Sequence, residues 1–138
     1  MPAAKLAELH DVSSSYLAKQ LQSLARAGLI HSVQGKSGGY VLTRAPESIT
    51  LLDVVRAVDG PGPTFVCTEI RQRGPLSTPA AACTSPCPIA RAMWAAEDAW
   101  RQALAGVTIA DLARDVDVDS GPEALVSVSA WLGGDKDG

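Results

Sequence analysis

The chain has 138 residues, 46% of them hydrophobic and 20% charged, with a formal net charge of −3. That balance suits one domain with a core, or a small domain plus an appendage, and is not the composition of a disordered chain. No apolar run approaches the ~20 residues of a membrane span, and no basic segment followed by an apolar block opens the chain. Neither an integral membrane protein nor a secreted one is therefore expected.

Charge is unevenly spread. Residues 1–44 hold five basic side chains against two acidic ones, whereas the remainder holds seven basic against thirteen acidic. A nucleic-acid contact, if present, belongs in the first third.

In chain order, "AAKLAEL" reads as a helix from about Pro2 to Leu9, with Leu6 and Leu9 on one face. "HDVS" breaks it, Val12 can turn inward, and a serine caps the next helix. From Ser14 to Ala27 the leucines at 17, 21 and 24 recur at spacings of four and three, and Gly28 ends the helix. "LIHSVQGKSGGYVLTR" then alternates around "GKSGG", the pattern of two short strands and a glycine-rich turn. Helix-turn-helix followed by a hairpin is the winged-helix order, with the hairpin as the wing. A small α+β unit unrelated to nucleic acid would give the same pattern.

"SITLLDVVRAVDG" predicts an amphipathic helix with Ile49, Leu52, Val55 and Val58 on its buried side, Asp53 in its first turns and Gly60 at its end. A proline-bearing stretch from Pro61 to Cys87 follows, and it carries all three cysteines, Cys67, Cys83 and Cys87. An odd count gathered in one stretch is no disulfide framework and points to a reduced, cytoplasmic setting. Pro88 opens a long helix whose Ile89, Met93, Ala96, Trp100 and Ala103 fall at a and d spacing. Either a dimer seam or packing on its own domain would use that stripe. "VTIADLARDV" has Thr108 and Asp111 at capping-box spacing. The rest is an acidic tail in which "ALVSVSAWL" can dock and the last residues are expected to be disordered.

"VSSSYLAKQLQSLARAGLIHSVQGKSGGYVLTR" resembles the recognition helix and wing of the Rrf2 family of bacterial transcription regulators, which includes IscR- and NsrR-like iron–sulfur sensors. "ITLLDVVRAVDG" is similar to the family's linker helix and "TIADL" to the segment after its dimerisation helix, so the likeness spans roughly residues 3–114. It implies a mostly α fold with a small β-hairpin wing: a winged helix-turn-helix plus a long dimerisation helix. The corresponding divisions are residues 1–60 (DNA-binding), 61–87 (sensor loop), 88–116 (dimerisation helix and the short helix after it) and 117–138 (tail). Relatives carry about twenty residues of helix ahead of the segment matched by "AAKLAEL", so the chain reads as lacking the family's first helix, through a late start codon or a truncation.

The resemblance implies a homodimer, joined through the 88–105 helix, on a double-stranded DNA operator. Ser13, Ser14, Ser15, Tyr16, Lys19 and Gln20 would face the major groove, and Lys36, Ser37, Gly38 and Gly39 of the wing the minor groove. For Tyr16 the alternative is a ring packed in the core. Gln34 stands where many relatives have arginine.

The resemblance also implies a repressor that senses redox or stress through an iron–sulfur cluster, [2Fe–2S], on Cys67, Cys83 and Cys87. Cluster loops of the family have similar short gaps, whereas here the spacing is C-x15-C-x3-C. Ala90 and Arg91 occupy the region where relatives place a histidine as fourth ligand; other relatives take an acidic residue or histidine from the partner's first helix. His10 and His31 read as surface histidines. Open alternatives are a zinc site, a Cys83–Cys87 thiol switch, a cluster-free regulator, or a protein-interaction module using the tryptophan-bearing helix. An enzyme is not expected: no nucleophile–base pair is evident, and "GKSGG" lacks the length and following helix of a phosphate loop.

Overall fold

In the computed structural model, which describes residues 2–35 and 38–133, the chain forms six α-helices and one antiparallel hairpin. It divides into two units, residues 1–60 with 105–138, and residues 61–104.

The first unit begins with α1 (Ala3–Leu9) and α2 (Ser14–Arg26). Between them Asp11 adopts φ 50°, and the Val12 N–H closes back onto the Ala7 carbonyl. α2 starts where Ser13 offers its hydroxyl to the Tyr16 N–H at 3.2 Å, satisfying one of the orphan donors of a first turn. It ends at Gly28, whose φ of 73° lets the Leu29 N–H return to the Leu24 carbonyl. That reversal sends Leu29 and Ile30 straight into the core.

Strand β1 (Ile30–Val33) pairs with β2 (Gly39–Leu42) in the register Ile30–Leu42 and Val33–Gly39. Thr43 anchors the far end of the hairpin, its hydroxyl donating to the Gly28 carbonyl and its N–H to Leu29. A 3-10 turn at Pro46–Ser48 leads into α3 (Leu51–Asp59). After residue 104 the chain rejoins this unit as α5 (Ile109–Ser120) and α6 (Glu123–Gly133). Ala7, Leu21, Leu29, Ile30, Ile49, Leu52 and Ala110 form its core, with Ile49 the most deeply buried large side chain. Burying each large member stabilises by roughly 1.5–3 kcal/mol. Val58, placed by the sequence on the same side of α3 as Ile49 and Leu52, is exposed instead, six positions beyond the buried Leu52.

The stretch expected to be an acidic tail carries the end of α5 and all of α6. α6 packs along α5, and Lys5 Nζ of α1 stands 5.9 Å from the Trp131 ring centre, at cation–π range. The last residues, 134–138, lie outside the described ones.

In the second unit, short 3-10 turns at Ile70–Gln72 and Ala80–Ala82 punctuate a long loop, which leads into α4 (Pro88–Ala105). Cys87 and Ala90 are its buried residues.

Candidate nucleic-acid interface and cysteine loop

The amphipathic pattern of α2 sets one surface. With Leu21 buried and Leu17 and Leu24 half-buried, Ser13, Ser14, Ser15, Tyr16 and Lys19 stand exposed at the amino end, while Gln20 is half-buried. Tyr16, at 57% exposure, is not a packed core ring. The outward stripe continues beyond the expected residues: Ser15, Lys19, Gln22 and Arg26 follow one another at helical spacing and are all exposed. Counting the stripe forward from Lys19 would have found the last two. Hydroxyls, amides and two cations on one helix face are the groups that meet phosphates and base edges.

Of the wing, Gln34 and Gly35 are exposed. Lys36 and Ser37 lie outside the described residues. Gly38 is required by close approach, because a Cβ there would stand 2.8 Å from the Gly35 carbonyl and 2.9 Å from that of Val33. With the exposed face of α2 and this hairpin, the first unit is a winged helix-turn-helix.

The cysteine loop is fastened to α4 at its start. The Thr64 N–H donates to Glu97 Oε1 at 2.9 Å, Arg101 Nη2 donates to the Gly62 carbonyl at 2.8 Å, and Glu97 and Arg101 pair at 2.8 Å. The Thr64 amide foremost, and Arg101 after it, hold the Glu97 carboxyl below its ordinary range.

Further along, the Glu69 N–H donates to Cys67 Sγ at 3.4 Å, and Glu69 itself sits in the left-handed region at φ 49°, ψ 61°. Arg71 grips the Glu69 carboxylate with two nitrogens, at 2.6 and 2.8 Å, and donates to the Ser85 carbonyl at 2.9 Å. The hydrogen bonds to Glu69 above all, then the nearby Cys83 and Cys87, hold Arg71 still more firmly in its charged form, and the same pair lowers Glu69. Cys67 and Cys83 are half-buried and Cys87 is buried; all three thiols are free.

Three thiols on one loop, with a cation near two of them, are a donor set that suits an iron–sulfur cluster. Among the described residues, no three histidine, cysteine or acidic side chains stand close enough together to hold a metal ion. The arms of the loop would have to draw in around such a group. His10 and His31 are exposed.

On α4, Ala90 is buried and Glu97, Arg101 and Leu104 are half-buried, whereas Ile89, Met93, Ala96, Trp100 and Ala103 all face outward. The stripe expected from the sequence is therefore an uncovered apolar face in this chain.

Residues 1–115 match the Rrf2 family, described as an iron-dependent transcriptional regulator. Protein aau3 of Rhizobium meliloti is 34% identical over 110 residues, 80% of this chain and 68% of that protein. The HTH-type transcriptional regulator CymR of Bacillus subtilis is 30% identical over 113 residues, 81% and 71% of the two chains. The solved structure of that regulator, described as the global cysteine regulator, superposes with a TM-score of 0.62 at 28% identity, covering 83% of this chain and 78% of its own. IscR of Cereibacter sphaeroides is 39% identical over 56 residues, 41% of this chain and 36% of that regulator. The chain belongs to the Rrf2 family of transcriptional regulators, a family of regulators and not of enzymes. Among the described residues no helix is long and apolar enough to cross a membrane.

Proposed function

We propose that the protein is a dimeric, cytoplasmic DNA-binding repressor that senses redox state or stress through an iron–sulfur cluster, [2Fe–2S], held by Cys67, Cys83 and Cys87. The observation that carries this reading is the gathering of all three thiols on one loop whose two arms Arg71 bridges. The description of the family as iron-dependent supports it.

When bound, the cluster supplies a charge that changes with oxidation state. The chain's own residues do the rest. Glu97 and Arg101 couple the start of the loop to α4, and the exposed Ile89, Met93 and Trp100 supply the apolar seam for a second copy. Ser13, Ser14, Ser15, Tyr16, Lys19 and Gln20 present the base-reading and phosphate-reading groups, with Lys36, Ser37, Gly38 and Gly39 along the minor groove. A dimer reads two half-sites a helical turn apart, so a small rotation at the seam changes affinity.

A second reading is favoured by one specific likeness, that to a regulator described as governing cysteine. In it the loop is a thiol switch without a cluster, and Cys83 and Cys87 are the reacting pair.

The test is oxygen-free purification followed by absorption and EPR spectra, iron, sulfide and zinc assays, and operator binding. Iron and sulfide in equal amounts, with DNA affinity that falls on their removal, is the expected result. A colourless protein that binds DNA equally well with and without iron would sink the cluster reading. In that case a Cys83–Cys87 disulfide that changes affinity would establish the switch, and bound zinc a structural site.

A further inference from the structure

We infer that Arg71 is the positioning residue of the cysteine site, tying the arm that bears Cys67 to the turn between Cys83 and Cys87. The inference rests on the proposal that the three thiols act together, and it names what links the two arms that carry them, so that they can draw in around one group. The need is geometric. Fifteen residues, two of them proline, separate Cys67 from Cys83, and a loop of that length has no intrinsic reason to return its ends to one place.

One guanidinium meets that need by making three hydrogen bonds. Two run in a fork to Glu69, two residues past Cys67. The third reaches Ser85, which lies between the other two cysteines. Glu69 is a non-glycine residue held in the left-handed region, a conformation that persists only where surrounding contacts impose it. Its N–H is also spent on Cys67 Sγ, so the backbone of Glu69 fixes Cys67 while its side chain holds the arginine that reaches across to Ser85. The Thr78 N–H closes onto the Arg71 carbonyl at 2.6 Å, folding the intervening excursion back on the same residue.

A surface ion pair would be worth little and would link neighbours only. Here the pair with Glu69 orients a guanidinium whose further hydrogen bond spans 14 residues to the Ser85 carbonyl, and the combination uses the planar fork of arginine. Lysine carries its three donors on one nitrogen, without the planar fork that pairs both carboxylate oxygens in parallel and still reaches Ser85 from a separate edge.

The test is titration of the full reduced chain with Cd2+ under nitrogen. The ultraviolet sulfur-to-cadmium charge-transfer band counts thiolates bound per ion. The parent is expected to engage three thiolates, and Cys67→Ser two. Arg71→Gln should fall to the Cys67→Ser pattern, with cadmium bound about tenfold more weakly, as expected for loss of a charge-assisted clamp. Arg71→Lys should lie between, a graded response that general loosening would not produce. Should Arg71→Gln fail to fold by circular dichroism, Glu69→Gln removes the same anchor from the other side and should give the same two-thiolate count.

Three thiolates at unchanged affinity in Arg71→Gln or Glu69→Gln, or only two in the parent, would overturn the inference. Its fate is separable from that of the cluster. Cadmium bound by three thiolates in a parent that takes up no iron and sulfide would sink the cluster reading and leave the clamp standing. A full cluster on Arg71→Gln would do the reverse.

Discussion

Thr50 and Thr108 face each other in a single antiparallel bridge, although 57 residues of chain separate them. Leu51 donates its N–H to Val107 and Ile109 its N–H to Ile49, each at 2.9 Å. Each threonine is also the N-cap of a helix, α3 or α5, and each helix carries a full capping box, closed by Asp53 and Asp111. The chain thus re-enters its first unit through a two-residue sheet whose strands are both helix starts, and the buried Ile49 and Ala110 lie next to it. Two orphan donors of each helix are satisfied within the same few ångströms.

Thr108→Ala removes one cap and leaves the bridge's backbone bonds in place. The loss expected is about 1 kcal/mol, the usual cost of an N-cap hydroxyl. Thr50→Ala should cost a similar amount. Because the caps adjoin, the double variant should depart from additivity; urea unfolding of all four proteins measures the coupling.

The same boxes give a direction in pH. The Thr50 amide foremost, with Arg44 helping, lowers the pKa of Asp53 below the ordinary 3.8, and the Thr108 amide and hydroxyl lower that of Asp111, with Arg114 adding to it. A carboxyl whose folded pKa is depressed contributes stability that is fully present above its unfolded value and disappears as pH falls through its folded value. The thermal midpoint should therefore hold from neutral pH down to about 4 and drop below that. Asp53→Asn and Asp111→Asn should each flatten the acid limb. An unchanged limb in both would show that the boxes do not set it.

Much of this was legible beforehand, for local reasons. The leucine spacing of α2, the serine before it, the glycine after it and the alternation around "GKSGG" are signals confined to neighbours, and the structure follows them almost to the residue. α6 was not legible. Its serines and valines mix helix-neutral and strand-favouring residues beside an acidic stretch, so its helix rests on packing along α5 and not on propensity. Tyr16 was ambiguous because an aromatic ring at a helix start fits a core or a surface equally. The clamp formed by Glu69, Arg71 and Ser85 has no periodicity at all. Only a fold that brings position 71 beside position 85 reveals it.

Glu97 offers a check on how the loop is fastened. Its carboxylate holds the Thr64 amide and the Arg101 side chain together. Glu97→Ala should leave α4 helical while hydrogen exchange at Thr64 accelerates by an order of magnitude or more. Exchange unchanged at Thr64 would mean that Arg101 and the Gly62 carbonyl suffice.

On the α2 face, Lys19 and Arg26 should act through phosphate. Lys19→Ala is expected to weaken binding to operator and to unrelated duplex alike, and to reduce the salt slope by about one. Gln20→Ala should instead narrow the gap between operator and unrelated DNA. Fluorescence anisotropy at several salt concentrations separates the two behaviours, and a Lys19 effect confined to operator would assign it to base reading.

α4 presents an open apolar face. Ile89, Met93 and Trp100 project outward at spacings of four and seven, the seam of a helix that pairs with another helix. An aspartate at Trp100 would bury a charge in such a seam, so Trp100→Asp should weaken self-association by at least about thirtyfold, in the range of a hot-spot residue. Asp98→Ala serves as the control, since Asp98 is exposed on the same helix and accepts a hydrogen bond from Gln102, one turn away, at 2.9 Å. Sedimentation velocity across a concentration series should show a dimer for the parent and for Asp98→Ala, and a monomer for Trp100→Asp. A parent that stays monomeric at every concentration would instead leave the tryptophan face to a different protein and remove half-site spacing from the mechanism. Should Trp100→Asp remain dimeric, the seam lies elsewhere on the chain, and α4 would couple to the cysteine loop without joining two copies.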